Sequence, residues 1–395
     1  MYFKSFSAVA IIVLLLSCSE SKKLSTAATA DNLKAHIEYL ADDKLEGRRT
    51  GTKGEELAMN YIMNQFKKAG LEPKGTEFYM QNFPLKDGKA MGHNVIGYID
   101  NGAATTVVLG AHYDHLGYGE DGNSRSTSKE PAIHNGADDN ASGTAALIEL
   151  ARALKKSKAK NNNYLFIAFS GEELGLFGSK YFVENPTIDL KTVNYMINMD
   201  MLGRLNDSAK VLTIGGFGTS PAWDNSINNN EFFKLPYPGV SPQSLVIKVD
   251  SSGTGPSDHT SFYRKDIPVL FYFTGLHSDY HKPTDDADKI NYDGEQIIIR
   301  HILHLIESLD SKGKLAFLKT RETQTTTSAR FSVSMGIMPD YTFSGTGVKA
   351  DGVTDGKPAQ KAGIKAGDII TQLGDYTINS LENYMQALGK FKKGD

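Results

Sequence analysis

The sequence predicts an α/β fold, in which a mainly parallel sheet is sandwiched by helices, followed by a small β-rich domain. Two observations predict the sheet. Continuous apolar runs alternate with amphipathic helical segments up to about residue 310, and polar clusters follow the apolar runs directly. Strands that are covered on both faces have no polar face, so they read as unbroken apolar runs. The composition changes after residue 310, which marks the end of this part.

Each predicted helix carries apolar residues at spacings of three and four positions. The first begins at Asp31 and places Leu33, Ile37 and Leu40 on one face. The second ends at Gly70, since glycine is favoured just past a helix C-terminus. The same spacing predicts the remaining helices of this part: 143–155, a stretch after Gly175, and 293–309.

Short apolar and β-branched runs predict the strands. In parallel sheets covered by helices, ligands bind beyond the carboxyl ends of the strands. Functional side chains are therefore expected just after the apolar runs. The predicted strands are 94–99, 106–109, 164–169, 193–198, 211–214 and 268–273.

The chain length and the net charge limit the possible domain organisation and partners. A chain of 395 residues allows two or three domains with a sizeable core. The formal net charge of −3 gives no reason to expect nucleic acid as a partner.

The N-terminus resembles a bacterial lipoprotein signal. Lys4 precedes an apolar run at 8–16 that is too short to span a bilayer, and the run ends at Cys18, the only cysteine. The resemblance implies that residues 1–17 are removed and that Cys18 carries a lipid. The protein is then expected in a bacterial cell envelope, membrane-anchored and facing the periplasm or the exterior. Residues 18–30 form a polar tether; a plain secretory signal is the alternative.

Ligand-type side chains cluster where the sheet rule expects a crevice. Histidine, aspartate and glutamate suit zinc, and several carboxylates together favour two metal ions over one. A surface histidine or a helix-capping aspartate explains any one cluster taken alone, but not their recurrence at strand ends. The clusters are His112 with Asp114, Asp138 with Asp139, Glu172 with Glu173, Asp200, and His277 with Asp279 and His281.

Five motifs carry a resemblance to a known family, in the family's order. They are His112-x-Asp114, Gly136-Ala137-Asp138-Asp139-Asn140-Ala141-Ser142-Gly143, Gly171-Glu172-Glu173-x-Gly175-Leu176-x-Gly178-Ser179, Asn198-Met199-Asp200-Met201 and Tyr280-His281. From about residue 31 to 310 the chain resembles the co-catalytic zinc aminopeptidases of the bacterial leucyl aminopeptidase and aminopeptidase Y type. The resemblance implies a zinc exopeptidase fold and a catalytic domain over 31–312.

The resemblance also implies a ligand set for two zinc ions. His112 and Asp200 hold one ion, Glu173 and His281 hold the other, and Asp139 bridges them. It further implies a cis peptide bond between Asp139 and Asn140.

Three further carboxylates receive roles by the same resemblance. Asp114 orients His112, and Glu172 is the general base. Asp258 contacts either a ligand or the substrate. The oxyanion-side tyrosine stays open among Tyr237, Tyr272 and Tyr280.

These roles imply hydrolysis of the N-terminal residue of a peptide with a free amine. A water or hydroxide bridged between two zinc ions attacks the scissile carbonyl, while Glu172 takes its proton and returns it to the leaving amine. A glutaminyl cyclase on the same fold is the nearest alternative. Because cyclases generally use one zinc, His112 and Asp200 together argue against it. A non-catalytic peptide-binding protein is the other alternative, although no ligand or base is missing.

The remaining polar residues have ordinary explanations as well. Arg48 and Arg49 could bind a substrate carboxylate, but an ion-paired loop is favoured. Four histidines near the proposed ligands could replace them, although loop packing is favoured; they are His115, His134, His259 and His277. The histidines interpreted as structural are His36, His93, His301 and His304.

The C-terminal part resembles a PDZ domain of the bacterial protease-associated kind. Residues 313–329 are a polar linker, and the domain covers 330–395, with its most specific match from Pro358 to Ile370 and a helix near 380–389. Met335-Gly336-Ile337-Met338 matches the carboxylate-binding loop loosely. Such domains bind peptide C-termini by strand addition. The domain is expected to be C-terminally incomplete, because the family normally continues beyond Asp395.

Overall fold

The computed structural model describes residues 30–85, 88, 90–128, 130–223, 245–320, 333–339, 345–354 and 356–395. The predicted signal, the predicted lipidation site Cys18, nearly all of the tether, Tyr237 and part of the linker lie outside the described residues. Within them, no helix combines the length and the apolar character needed to cross a membrane.

Six helices of the large domain are described. Asparagine and threonine side chains cap two of them: Thr52 accepts the Glu55 N–H of α2, and Asn291 accepts the Gly294 N–H of α6. The helices are α1 Ala30–Leu40, α2 Lys53–Lys68, α3 Gly143–Lys156, α4 Phe177–Glu184, α5 His259–Tyr263 and α6 Tyr292–Leu309.

The described strands of this domain form one nine-stranded sheet in the order β1-β3-β5-β4-β6-β9-β7-β8, with β2 paired to β3. The strands are β1 Glu72–Pro73, β2 Met80–Pro84, β3 Met91–Ile99, β4 Thr105–His112, β5 Asn162–Phe169, β6 Val193–Met199, β7 Val211–Gly215, β8 Val246–Val249 and β9 Val269–Phe273. The central strands β5, β4, β6 and β9 are parallel, while β3 joins β5 and β7 joins β9 in antiparallel pairs. The predicted mainly parallel sheet is confirmed at its centre, and the flanks make it mixed.

Helices cover both faces of the sheet, as the continuous apolar strands predict. In β4, Val107 and Leu109 belong to the apolar cluster that includes α1, α2, α3 and α6. Val108, between them, belongs to the cluster on the opposite face, with Phe182 of α4 and Phe262 of α5. All are fully buried. Because successive strand residues point to opposite faces, both clusters require apolar residues.

The register of the central strands brings their carboxyl ends together. His112 ends β4 opposite Phe169 at the end of β5, and Met199 of β6 pairs with Tyr272 of β9. The loops that follow these strands therefore meet at one edge of the sheet, where the predicted clusters lie.

A small β-rich domain with its own apolar cluster follows. Ile337, Val348, Ala350, Ile378 and Tyr384 are among its buried residues. The helix predicted near 380–389 is confirmed as α8. The elements are β10 Ile337–Pro339, β11 Val348–Val353 and β12 Ile369–Ile370 in one sheet, β13 Gln372–Leu373 paired with β14 Tyr376–Thr377, and the helices α7 Pro358–Lys361 and α8 Leu381–Leu388.

Candidate metal centre

The first group of candidate ligands joins the ends of β4 and β6 to the turn before α3. His112 Nε2 lies 3.4 Å from Asp139 Oδ1 and 3.4 Å from Asp200 Oδ1. One ligand atom from each of the three residues falls within 4.8 Å of the other two. All three side chains are buried or nearly so, which limits competition from water.

A second group shares Asp139. Ligand atoms of His115, Asp139 and Glu173 also lie within 4.8 Å of one another. His281, the histidine that the resemblance implies, is equally close: its Nε2 is 3.2 Å from Asp139 Oδ2 and 3.4 Å from Glu173 Oε2. The two oxygens of Asp139 thus face different histidines, as a bridging carboxylate requires.

The second nitrogen of each histidine distinguishes His281 from His115. A metal-bound histidine normally donates its other ring N–H to a carbonyl or carboxylate. His112 Nδ1 lies 3.2 Å from the Asp114 carbonyl, and His281 Nδ1 lies 3.0 Å from the Asn123 carbonyl. His115 instead uses Nδ1 for Glu173, at 3.0 Å, and among the described residues its buried Nε2 has no partner. The geometry favours His281 as a ligand and His115 as a partner of Glu173.

The turn that carries Asp139 is held by contacts from two other loops. The peptide bond between Asp139 and Asn140 is cis, as the resemblance implies. The Asn140 side chain donates to the Met199 carbonyl and accepts the Met201 N–H, which ties the turn to the end of β6. Asp285 Oδ2 accepts the N–H groups of residues 138 and 139 at 2.9 and 3.1 Å. Asp285 was missed from the sequence, where it is one carboxylate of a polar turn.

Asp114 positions the loop of the candidate base. Its carboxylate accepts the backbone N–H groups of Glu172 and Glu173, at 3.2 and 3.4 Å, and the Thr50 hydroxyl at 3.0 Å. The contact with His112 runs through the Asp114 carbonyl, since its carboxylate is 3.7 Å from Nδ1. The predicted role of Asp114 in orienting His112 is thus supported by a backbone contact.

Electrostatics separates two kinds of carboxyl in this centre. Burial opposes ionisation of Glu173, but His281 holds its pKa at about 2. Burial also acts to lower the pKa of His281, which Glu173 and Asp139 raise to about 10. By contrast, burial raises the pKa of Glu172 well above its usual range, and raises that of Asp258 to about 7. Glu173 thus suits a ligand, and Glu172 suits a group that takes up a proton.

Asp258 lies in the same environment. It is 1% exposed, and neither carboxylate oxygen makes a geometrically satisfactory hydrogen bond with a described residue. The negative charges of Asp114 and Asp200 add to the effect of burial and raise the pKa of Asp258, and the charge of Asp258 in turn raises the pKa of Glu172. Its neighbour Ser257 donates to Asp200 Oδ2 at 2.7 Å, a role that the sequence did not reveal.

Arg48 is a structural residue rather than a surface cation. It is fully buried and donates to four carbonyl oxygens, those of Leu40, Tyr113, Asn135 and Gly136. Burial lowers its pKa to about 10, so the guanidinium remains charged at neutral pH. Arg49 forms the loop ion pair that the sequence favours, with Asp121 at 2.6 Å.

Most other candidates pack away from the ligand atoms. His134 contacts Ser124 and the Ala132 carbonyl, and His259 stacks on Phe271. His277 Nε2 lies 3.2 Å from Asp138 Oδ2, next to the centre. Two of the three candidate oxyanion-side tyrosines are described, and they differ in position. Tyr272 is buried against His301, whereas Tyr280 stacks on His281 with ring centroids 3.9 Å apart.

The donor set fits zinc. Imidazole nitrogen and carboxylate oxygen are ordinary zinc ligands, and a three-residue group leaves coordination positions for water and substrate. Two such groups that share one carboxylate have the arrangement of a two-metal site.

Comparison with known proteins decides the family. Residues 94–306, more than half of the chain, match peptidase family M28, and residues 328–395 match the PDZ domain. The chain belongs to peptidase family M28. It also carries a PDZ domain.

Several relatives of this M28 chain carry aminopeptidase names. A probable leucine aminopeptidase of Arthroderma otae is 30% identical over 228 residues, which cover 56% of this chain and 55% of the relative. The chain spans about half the length of the first curated relatives it matches.

Two solved structures share the fold. A Zn-dependent exopeptidase from Parabacteroides distasonis superposes with a TM-score of 0.57 at 21% identity, over 70% of this chain and 97% of that one. A glutaminyl cyclase from Bacteroides thetaiotaomicron, bound to N-acetylhistamine, has a TM-score of 0.57 at 19% identity, over 71% and 97%.

Proposed function

We propose that this protein is a two-zinc aminopeptidase that removes the N-terminal residue of peptides. One observation carries the proposal: Asp139 presents one oxygen to His112 and the other to His281. His112 and Asp200 would hold one ion, and Glu173 and His281 would hold the other. Zinc bound there would polarise the scissile carbonyl and lower the pKa of the attacking water.

Glu172 is the base in this proposal. It follows β5 beside Glu173, and Asp114 fixes the backbone of both residues. Its raised pKa suits a carboxylate that accepts a proton from the attacking water and returns it to the leaving amine. Asp258, whose charge raises the pKa of the Glu172 carboxyl, is proposed to contact either a ligand residue or the substrate.

The charge of the centre supports an N-terminal substrate. Asp139 lies in one group of ligand atoms with Asp200 and in another with Glu173, which concentrates negative charge in the centre. A protonated α-amine next to the scissile bond complements that charge. The names of the aminopeptidase relatives agree with this substrate class.

A peptide panel tests the proposal. The zinc-loaded protein is incubated with matched free, N-acetylated and N-terminal glutamine peptides, and the products are identified by mass spectrometry. Stepwise loss of N-terminal residues from free peptides, abolished by a chelator, is expected. Loss of ammonia from the glutamine peptides alone would establish a cyclase instead. No change in any peptide would favour a non-catalytic peptide-binding protein.

Two further proposals concern the ends of the chain. We propose that Cys18 carries a lipid that anchors the protein in a bacterial envelope, tested by labelling with an alkyne fatty acid and by its loss in Cys18→Ala. The PDZ domain is proposed to bind peptide C-termini along β10, which among the described strands pairs only with β11. Equal binding of a peptide and its C-terminal amide would contradict this.

A further inference from the structure

Arg125 lies close to His281, a proposed ligand of the metal centre. Its guanidinium carbon is 4.8 Å from the centroid of the Tyr280 ring, and that ring stacks on His281 at 3.9 Å. His281 and Asp200 are the most exposed of the proposed ligands, each with 12% of the side chain accessible. His281 is thus both one of the more accessible proposed ligands and the one next to the Tyr280 ring that Arg125 contacts.

The backbone around Arg125 is fixed to a proposed ligand. The Arg125 N–H donates to the His281 carbonyl at 2.8 Å, and the Asn123 carbonyl receives His281 Nδ1 at 3.0 Å. Ser124 contacts His134 at 2.7 Å, which braces the same loop. The position of this arginine is thus coupled to the centre.

The other arginines of this region have carboxylate or carbonyl partners. Arg49 pairs with Asp121, Arg204 pairs with Asp279 and Asp285, and Arg48 binds backbone carbonyls. In the part of the chain that the structure describes, Arg125 is half-buried and its guanidinium has no carboxylate within 4 Å; its side-chain contact is the Tyr280 ring. A stacked guanidinium keeps its N–H groups available for a planar anion.

We propose that Arg125 binds a substrate carboxylate one or two residues beyond the scissile bond, which makes short peptides with a free C-terminus the preferred substrates. An extended peptide advances about 3.3–3.6 Å per residue. The two centroid distances place the Arg125 guanidinium carbon within about 9 Å of the His281 ring centre, at most two to three extended residues away. This inference rests on the proposed aminopeptidase function. An acidic side chain at the same distance offers the same chemistry as a C-terminal carboxylate.

Binding is measured by calorimetry on zinc-loaded protein carrying Glu172→Gln, so that the result does not depend on turnover. The ligands are Ala-Ala, Ala-Ala amide and Ala-Glu amide. Arg125 is kept, or replaced by alanine or lysine. Lys68→Ala is the control, because it removes one positive charge from the exposed end of α2. Zinc content is determined for every variant.

With Arg125 present, Ala-Ala is expected to bind about 10- to 100-fold more tightly than its amide, the range for a hydrogen bond to a charged group. Arg125→Ala should bring that ratio close to one, Arg125→Lys should keep part of it, and Lys68→Ala should keep all of it. If Ala-Glu amide binds like Ala-Ala, an acidic side chain is accepted; if it binds like Ala-Ala amide, a C-terminus is required.

An acid-to-amide ratio that survives Arg125→Ala overturns the inference. If Arg125→Ala weakens the binding of Ala-Ala and of its amide by the same factor, the inference is also overturned, since Arg125 would then only support Tyr280 and His281. The proposed function is decided separately, by release of alanine from Ala-Ala amide when Glu172 and Arg125 are both intact. Its absence would reject the aminopeptidase activity, while the binding ratio still decides the role of Arg125.

Discussion

Ser257 donates a hydrogen bond of 2.7 Å from its hydroxyl to Asp200 Oδ2, while Asp200 Oδ1 faces His112. The hydroxyl itself accepts from the Asn198 side-chain amide at 2.8 Å. Both Asn198 and Asp200 lie at the end of β6, so the chain of contacts fixes the Asp200 carboxylate by one oxygen. The other oxygen is left for a metal ion.

Ser257→Ala is therefore expected to weaken zinc binding on the Asp200 side by about 10- to 100-fold, the usual effect of removing a residue that orients a ligand. The measurement is zinc affinity by competition with a chromophoric chelator. Ser208→Ala is the control, because Ser208 is exposed and bonds only to Asn206 among the described residues. An unchanged affinity in Ser257→Ala would show that Asp200 needs no such support.

Glu172→Gln tests the base. The side chain keeps its size but can no longer accept a proton, so kcat should fall by at least about 100-fold while zinc content stays unchanged. Kinetics on a free peptide and metal analysis are measured together. Glu184→Gln, at the exposed end of α4, is the matched control. Substantial activity in Glu172→Gln would remove this residue as the base.

His281→Ala and His115→Ala separate a ligand from its neighbour. His281→Ala should bind about one zinc equivalent, because only the group with His112 and Asp200 remains intact. His115→Ala should keep about two, since its contact with Glu173 is a hydrogen bond at 3.0 Å. Elemental analysis after dialysis gives the count. The reverse pattern would make His115 the ligand.

The central sheet and the clusters at its edge could be predicted because local patterns encode them. In β5, Phe166 faces one cluster and Ile167 the other, which is why positions 164–169 form an unbroken apolar run. Three strands towards the edges of the sheet lacked that signal, of which β1 consists of two exposed residues. The strand β2 alternates between half-buried and buried residues, and β8 is largely exposed. Neither has the continuous apolar run that marks a central strand.

Residues that support the site through distant contacts could not be predicted. Asp285 binds N–H groups nearly 150 positions away in the chain, and nothing in its own turn indicates this. The adjacent Arg48 and Arg49 are chemically identical, yet one is fully buried and the other pairs with Asp121 near the surface. The carbonyl groups that surround Arg48 come from distant parts of the chain and are brought together only by the fold.

Arg48 holds together three segments that meet behind the metal centre. Its Nε donates to the Tyr113 carbonyl at 2.8 Å, next to His112, and its terminal nitrogens donate to Asn135 and Gly136, just before Asp139. A buried carbonyl that loses its donor costs about 1–3 kcal/mol, and here several would lose it together. The contacts also set the spacing between the segments that carry His112 and Asp139.

Arg48→Met should therefore lower the free energy of unfolding by about 3 kcal/mol or more, and should reduce zinc affinity through the altered spacing. Arg49→Met, at the next position, should cost about 1 kcal/mol or less, because it removes only a partly exposed ion pair. Urea titration of the apo and zinc-loaded forms measures both effects. Arg48→Lys should recover part of the stability, since one ammonium cannot reach carbonyls placed for a planar guanidinium. Equal losses for Arg48→Met and Arg49→Met would show that the buried arginine does not organise the centre.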